Sequence, residues 1–297
     1  MDFETTILED GDNQIHGSAY YDGYLWFSTR TNPARILKMD PDTLEYEKII
    51  LGEGFNDGEA LVGADGSIFV ILHNYPTRII KIKPDDLTKQ KLIKINEMDR
   101  GQSLLYKCGY LWAGGAGKLA RINISDYSYI IYSYPTSAFH ALASGNDGFL
   151  WGSCPSHSQT TILRINAANP KDYDSVVIKK IATDDMLVQN GALYVGTENE
   201  KERSYIYKIS TDLTYVSVKT QKVVKCWGVF RDLWVVYDGN PGTIIKLNEK
   251  LVEIDSIISL PSGFNDANEI VFDSKGSMFI TCFQSPAKVV KLQMASL

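Results

Sequence analysis

The sequence has no apolar run approaching the roughly 18 residues that cross a bilayer, which excludes a helical membrane span. It also has no excess of positive charge. With 30 Lys and Arg against 36 Asp and Glu, the formal charge is −6, so no basic footprint marks nucleic acid or an anionic membrane as a partner. The first residues, Met1-Asp2-Phe3-Glu4, lack the basic and apolar regions of a secretion signal. The expected location is therefore the cytoplasm, or an assembled particle such as a virion. Cys108, Cys154, Cys226 and Cys282 show no C-x-x-C spacing, which argues against a zinc site or a disulfide framework. They read as buried free thiols. Helical periodicity is absent, and residues 158–297 contain no histidine.

What is present is a repeat. An aromatic strand recurs at Tyr24-Leu25-Trp26, Ser67-Ile68-Phe69, Tyr110-Leu111-Trp112, Phe149-Leu150-Trp151, Ala192-Leu193-Tyr194, Asp232-Leu233-Trp234 and Ser277-Met278-Phe279, at spacings of 43, 43, 39, 43, 40 and 45. Turn pairs such as Asp22-Gly23, Asp65-Gly66 and Asn190-Gly191 precede most copies and tolerate the positive φ of a two-residue hairpin. A second strand follows in each unit, with a basic residue in a fixed place: Lys38, Lys81, Arg121, Arg164, Lys208, Lys246 and Lys291. These could form an anion-binding ring. The simpler reading packs their stems between sheets and leaves the heads to water or a carboxylate.

An inner strand before the turn and an outer strand after the basic one, as at residues 46–51 and 176–180, complete each unit. Four short antiparallel strands repeating at this period predict an all-β, seven-bladed β-propeller. It is expected as one domain over residues 1–297, with blades at about 15–52, 55–95, 99–135, 139–180, 183–222, 223–261 and 264–293. The last unit ends without an outer strand. Residues 3–8 are strand-like and are predicted to complete that blade, closing the ring and removing an open sheet edge.

Turns at residues 40–43, 83–86 and 211–213 make one rim short and structural. The opposite rim holds the blade crossings and the more varied loops 30–33, 73–77, 114–117, 155–159, 198–203, 238–242 and 284–286. Variable loops on a rigid scaffold usually carry binding. All four histidines fall there: His16 and His140 open inner strands, while His73 and His157 lie in loops. Counting back from the turn glycines puts His16, Glu59, Gln102, His140, Asp184, Lys225 or Cys226, and Asn268 with Glu269 at the mouth of the central channel. Glu59, Asp184, Asn268 and Glu269 could hold Ca²⁺ or Mg²⁺, which prefer oxygen ligands. A hydrated polar channel accounts for the same residues. Gly54-Phe55-Asn56-Asp57 is echoed by Gly263-Phe264-Asn265-Asp266. The echo places Asn56, Asp57, Asn265 and Asp266 on the binding rim, or simply makes two good crossing turns.

The Asp-Gly-x-Leu-Trp-Phe blade resembles those of streptogramin lyase-like and NHL-repeat-like propellers over nearly the whole chain; the Trp-Asp dipeptide of WD repeats is absent. The resemblance implies the fold. The late-blade histidines and glutamates it implies for a lyase have no histidine counterpart here. Asn268-Glu269-Ile270-Val271, with Asp273 and Gly276, is also similar to the channel segment of gluconolactonase-like propellers. That similarity would give Glu59, Asp184 and Asn268 the part of metal ligands, although the Pro-Asn-Gly form is missing. The first expectation is a non-catalytic binding or structural module for a protein or glycan partner, requiring no cofactor. Its exposed edges would be rich in tyrosine, as at Tyr127, Tyr129, Tyr132 and Tyr134. The alternative is a metal-dependent lyase or lactonase-type hydrolase at the channel mouth, with His16 or His140 as base. The three-blade separation of those histidines speaks against both touching one small substrate.

Overall fold

A computed structural model describes residues 3–198, 204–220, 222–248, 250, 251 and 253–293. The first blade sets the pattern: inner strand Ile15–Tyr21, aromatic strand Tyr24–Thr29, basic strand Arg35–Met39 and outer strand Tyr46–Ile50, all antiparallel. Seven such sheets follow one another round the ring. Asp22 and Gly23 have φ of 54° and 82°, and Asp65 and Gly66 repeat the pair at 47° and 64°. Two successive left-handed residues give a hairpin turn whose twist matches that of the strands it joins. The third blade departs from the pattern in one respect: Tyr110–Asn123 runs unbroken through both middle strand positions. The chain doubles back within it, because the Arg121 guanidinium lies 4.9 Å from the Tyr110 ring.

The ring closes as the sequence predicts. Phe3–Ile7 pairs antiparallel with Lys288–Gln293, from Phe3 opposite Leu292 to Ile7 opposite Lys288. The last sheet therefore has four strands, drawn from both ends of the chain.

Packing explains why the aromatic strand repeats. Seven apolar clusters form, each shared by two neighbouring blades. Trp26 of the first blade joins Leu61, Ile68 and Val70 of the second, and Trp151 of the fourth joins Met186 and Leu193 of the fifth. Trp26, Trp112, Trp151 and Trp234 are buried. Burying a side chain of this size contributes about 2–3 kcal/mol, so the aromatic positions hold the ring together blade to blade.

Two expectations need correction. The tyrosines of residues 127–134 do not form an exposed edge. Tyr134 is buried and donates to the Pro170 carbonyl at 2.8 Å, and the other three are half-buried while Ile130 faces out. Facing the neighbouring blade gives each ring packing area that the outer face cannot supply. Cys108 is also exposed, because it forms the left-handed corner of its hairpin turn at φ 51°. The other three thiols are buried, and burial pushes Cys154 and Cys282 up to about 12, so these two are not thiolates at neutral pH. No helix among the described residues is long and apolar enough to cross a membrane.

Candidate functional site at the channel mouth

The channel mouth is built by a device repeated round the ring. In blades 1, 2, 6 and 7 the residue after the aromatic strand donates its backbone N–H to a carbonyl two residues before the channel residue. The pairs are Arg30 to Gln14, His73 to Asp57, Asp238 to Val223 and Phe283 to Asp266, at 2.8–2.9 Å. Gln14, Asp57 and Asp266 are left-handed, with φ of 51–54°. The strand register then slips at the channel residue itself: at His16 between Ile15 and Gly17, within residues 58–61 around Glu59, at Lys225 between Val224 and Cys226, and at Asn268 between Ala267 and Glu269. A bulge turns a side chain out of the sheet's alternation. Here it turns it towards the axis.

The result is a polar cavity of about 150 Å³ lined by His16, Glu59, Gln102, His140, Lys225, Asn268 and Glu269, all of them expected there. His16 and His140 line the same cavity despite their separation round the ring. Asp185 lines it too, whereas the sequence count gave Asp184. The register slips between Ala182 and Met186, and the Asp184 side chain lies outside the described residues. Cys226 is buried behind Lys225. Asn56, Asp57, Asn265, Asp266, His73 and His157 do not line the cavity. His157 is exposed in its loop. His73 is half-buried, and burial lowers its pKa, with Arg30, Arg100 and His140 adding and Asp57 opposing.

The Gly-Phe-Asn-Asp echo has a local role. In blade 2, Arg78 donates to the Gly54 carbonyl at 2.6 Å with its guanidinium 4.9 Å from the Phe55 ring. In blade 7, Lys288 donates to the Gly263 carbonyl with its ammonium 5.1 Å from the Phe264 ring. Each crossing is thus a dock for the cation that opens the basic strand.

The polar groups of the mouth are engaged with one another, and across blade boundaries. Glu59 is 2% exposed; His16 Nδ1 lies 3.1 Å from its Oε2, and Arg30 reaches its Oε1 through Nη2 at 2.9 Å and Nε at 3.0 Å. Ser18 Oγ donates to Glu269 Oε2 at 3.0 Å, and Asn268 Nδ2 donates to the Ile15 carbonyl at 3.2 Å, both joining the last blade to the first. The Trp227 backbone N–H donates to Asp185 Oδ2 at 2.8 Å, joining the fifth blade to the sixth. Among the described residues, no three His, Cys, Asp or Glu side chains gather closely enough to hold a metal ion. Both Glu59 oxygens are engaged, Oε2 by His16 and Oε1 by Arg30.

Sequence reasoning placed His73 on the rim but missed the ring it forms with Arg30, Asp238 and Phe283, each four positions after its blade's aromatic residue. Arg30 engages Glu59 of the next blade, and Phe283 packs edge-on to His16 of the next, with centroids 6.0 Å apart. That fixed offset was readable.

No family model matches the chain, and no curated protein sequence does. Solved structures share its fold. It is similar to the WD40 propeller domain of Doa1 at 11% identity and TM-score 0.73, over 98% of this chain and 96% of that one. A chain of the mitotic checkpoint complex aligns at 10% identity and TM-score 0.77, over 97% and 93%. The Pan2 WD40 domain of Neurospora crassa aligns at 7% identity and TM-score 0.70, over 94% and 89%. At these identities the likeness is one of fold.

Proposed function

We propose that this propeller is a non-catalytic scaffold that holds a protein partner on its loop-rich rim. The observation that carries the reading is the set of cross-blade contacts around Glu59. Glu59 is buried and ion-paired to Arg30 and His16 of the neighbouring blade, so its charge is committed to joining two blades. The mouth's carboxylates act as staples between blades, and recognition falls to the loops above them. The mitotic checkpoint chain, a propeller within a protein complex, lends support by analogy of fold. A virion as setting is a narrower version of the same proposal, and a glycan partner is the alternative to a protein one.

The test compares partner retention by the wild-type chain and by a rim variant. Tyr75→Ser removes a loop-tip ring that is 78% exposed, and Lys83→Glu alters the opposite rim as control. Loss of a protein partner with Tyr75→Ser alone supports the scaffold. The alternative, a lyase or lactonase with Ca²⁺ or Mg²⁺ near His16 or His140, predicts about one ion per chain in elemental analysis, lost when Glu59 and Glu269 become Gln.

A further inference from the structure

From Leu213 to Arg231 the chain carries Lys219, Lys222, Lys225 and Arg231 and no acidic residue, although the protein as a whole has a formal charge of −6. Lys219 and Lys222 flank the crossing from the fifth blade to the sixth. They help to line a groove of about 520 Å³ whose other walls include Tyr237, Ile245 and Ile257. Ile245 is buried in the floor, while Ile257 is 66% exposed. Lys222 donates to the Thr243 hydroxyl at 3.0 Å, a neutral partner. Elsewhere, Lys38, Lys48, Lys246, Lys275 and Lys291 are paired with carboxylates within 3.0 Å. Neither groove lysine has a carboxylate partner within ion-pair distance among the described residues. The adjoining outer strand, Tyr215–Lys219, is exposed along its length, with Val216 at 61%, and pairs on one side only.

Two cations without a carboxylate partner among the described residues, beside an apolar wall and next to an open strand edge, specify their complement. We infer that the groove between the fifth and sixth blades binds an extended acidic–apolar segment of a partner protein. The segment's carboxylates meet Lys219 and Lys222, and an apolar side chain covers Ile257. Alternating acidic and apolar residues suit this because an extended chain presents successive side chains to opposite faces. The inference rests on the scaffold reading and names the chemistry of what the scaffold holds.

The experiment is fluorescence polarisation of the full chain with labelled short peptides of alternating Leu/Glu, Leu/Lys and Ser/Glu. The Leu/Glu peptide is expected to bind saturably and the other two not to. Binding should weaken at least about tenfold in Lys219→Glu/Lys222→Glu and in Ile257→Asp. It should be unchanged in Leu92→Asp and Lys94→Glu on the outer strand of the second blade. Thermal melts confirm folding, and the milder Lys219→Gln/Lys222→Gln pair should weaken binding in the same direction. Absence of Leu/Glu binding overturns the inference, as does equal loss in the control variants. Equal binding of the Ser/Glu peptide, or loss of Leu/Glu binding to competing phosphatidylserine vesicles, overturns it too, by showing attraction to negative charge alone. Rim variants that still release a partner while the peptide fails would overturn the groove and leave the scaffold standing.

Discussion

Lys38 stands directly across the strand pair from Trp26, its ammonium 5.9 Å from the indole and 4.2 Å from the Tyr24 ring. The same opposition recurs with Phe69 and Lys81, Trp151 and Arg164, Tyr194 and Lys208, and Trp234 and Lys246, each cation 5.5–5.9 Å from its ring. Phe279 and Lys291 share the register. The repeated basic residue is therefore the polar cap of the repeated aromatic, not part of an anion-binding ring. Lys38 also holds Glu47 at 2.9 Å. Lys38→Met, which keeps the stem, should cost about 1 kcal/mol in urea denaturation and leave sulfate binding unaltered. A change in sulfate titration would return the ring to candidacy as a site.

Asp12 is buried in the crossing that enters the first blade. It accepts from Arg35 at 2.6 Å, Lys48 at 2.9 Å and the Tyr46 hydroxyl at 2.9 Å. Burial pushes its pKa up, but these three hydrogen bonds outweigh burial and hold it below the ordinary carboxylate value of 3.8. A depressed carboxyl contributes stability that is present above 3.8 and lost as pH falls through the folded value. Asp12→Asn should therefore destabilise by about 3 kcal/mol at neutral pH and flatten acid unfolding over that range. An unchanged acid limb would show that Asp12 does not govern it.

The fold was legible because its determinants are local and repeated. Asp22-Gly23 writes a turn, Trp26 an interface and Lys38 its cap, and each recurs at a readable spacing. The channel was legible to within a residue, since a short register slip recurs at His16, Glu59, Lys225 and Asn268 and the count back from the turn absorbs it. In the fifth blade the irregularity spans Ala182 to Met186, so Asp184 was counted where Asp185 lines the cavity. Which carboxylate meets which cation was not legible, because Arg30 and Glu59 come from different blades and meet only when the ring closes.

Closure by Phe3–Ile7 makes the N-terminus part of the last blade's hydrogen-bonded edge. Thr6 pairs with Val289, and its N–H faces the partner strand as that of Leu8 does, which donates to the Ala287 carbonyl at 3.0 Å. Proline at Thr6 removes a donor and strains the pairing. Thr6→Pro should lower stability by about 3 kcal/mol, and deletion of residues 1–8 should do more, leaving Lys288–Gln293 as an open edge prone to association. Thermal melts and light scattering would read both effects. A truncated chain that melts like the full one would mean the first strand contributes nothing to closure.

His73 provides a test of the rim's electrostatics. Its backbone N–H is committed to the Asp57 carbonyl, which holds the residue beside the channel mouth. Burial lowers its pKa below 6.5, and the positive field of Arg30 and Arg100 adds to the effect. The folded chain therefore binds fewer protons at His73 than the unfolded chain does just below 6.5, so stability rises with pH through that window. Conversely, the stability this neutral imidazole contributes above 6.5 is lost as pH falls towards the folded value. Denaturation midpoints followed through this range should slope for the wild type and be flatter for His73→Gln. Because His16, His140 and His157 are common to both proteins, the difference between the two curves isolates His73. Superimposable curves, or a difference of opposite sign, would mean that Asp57 dominates and the rim's field is not the one its arginines create.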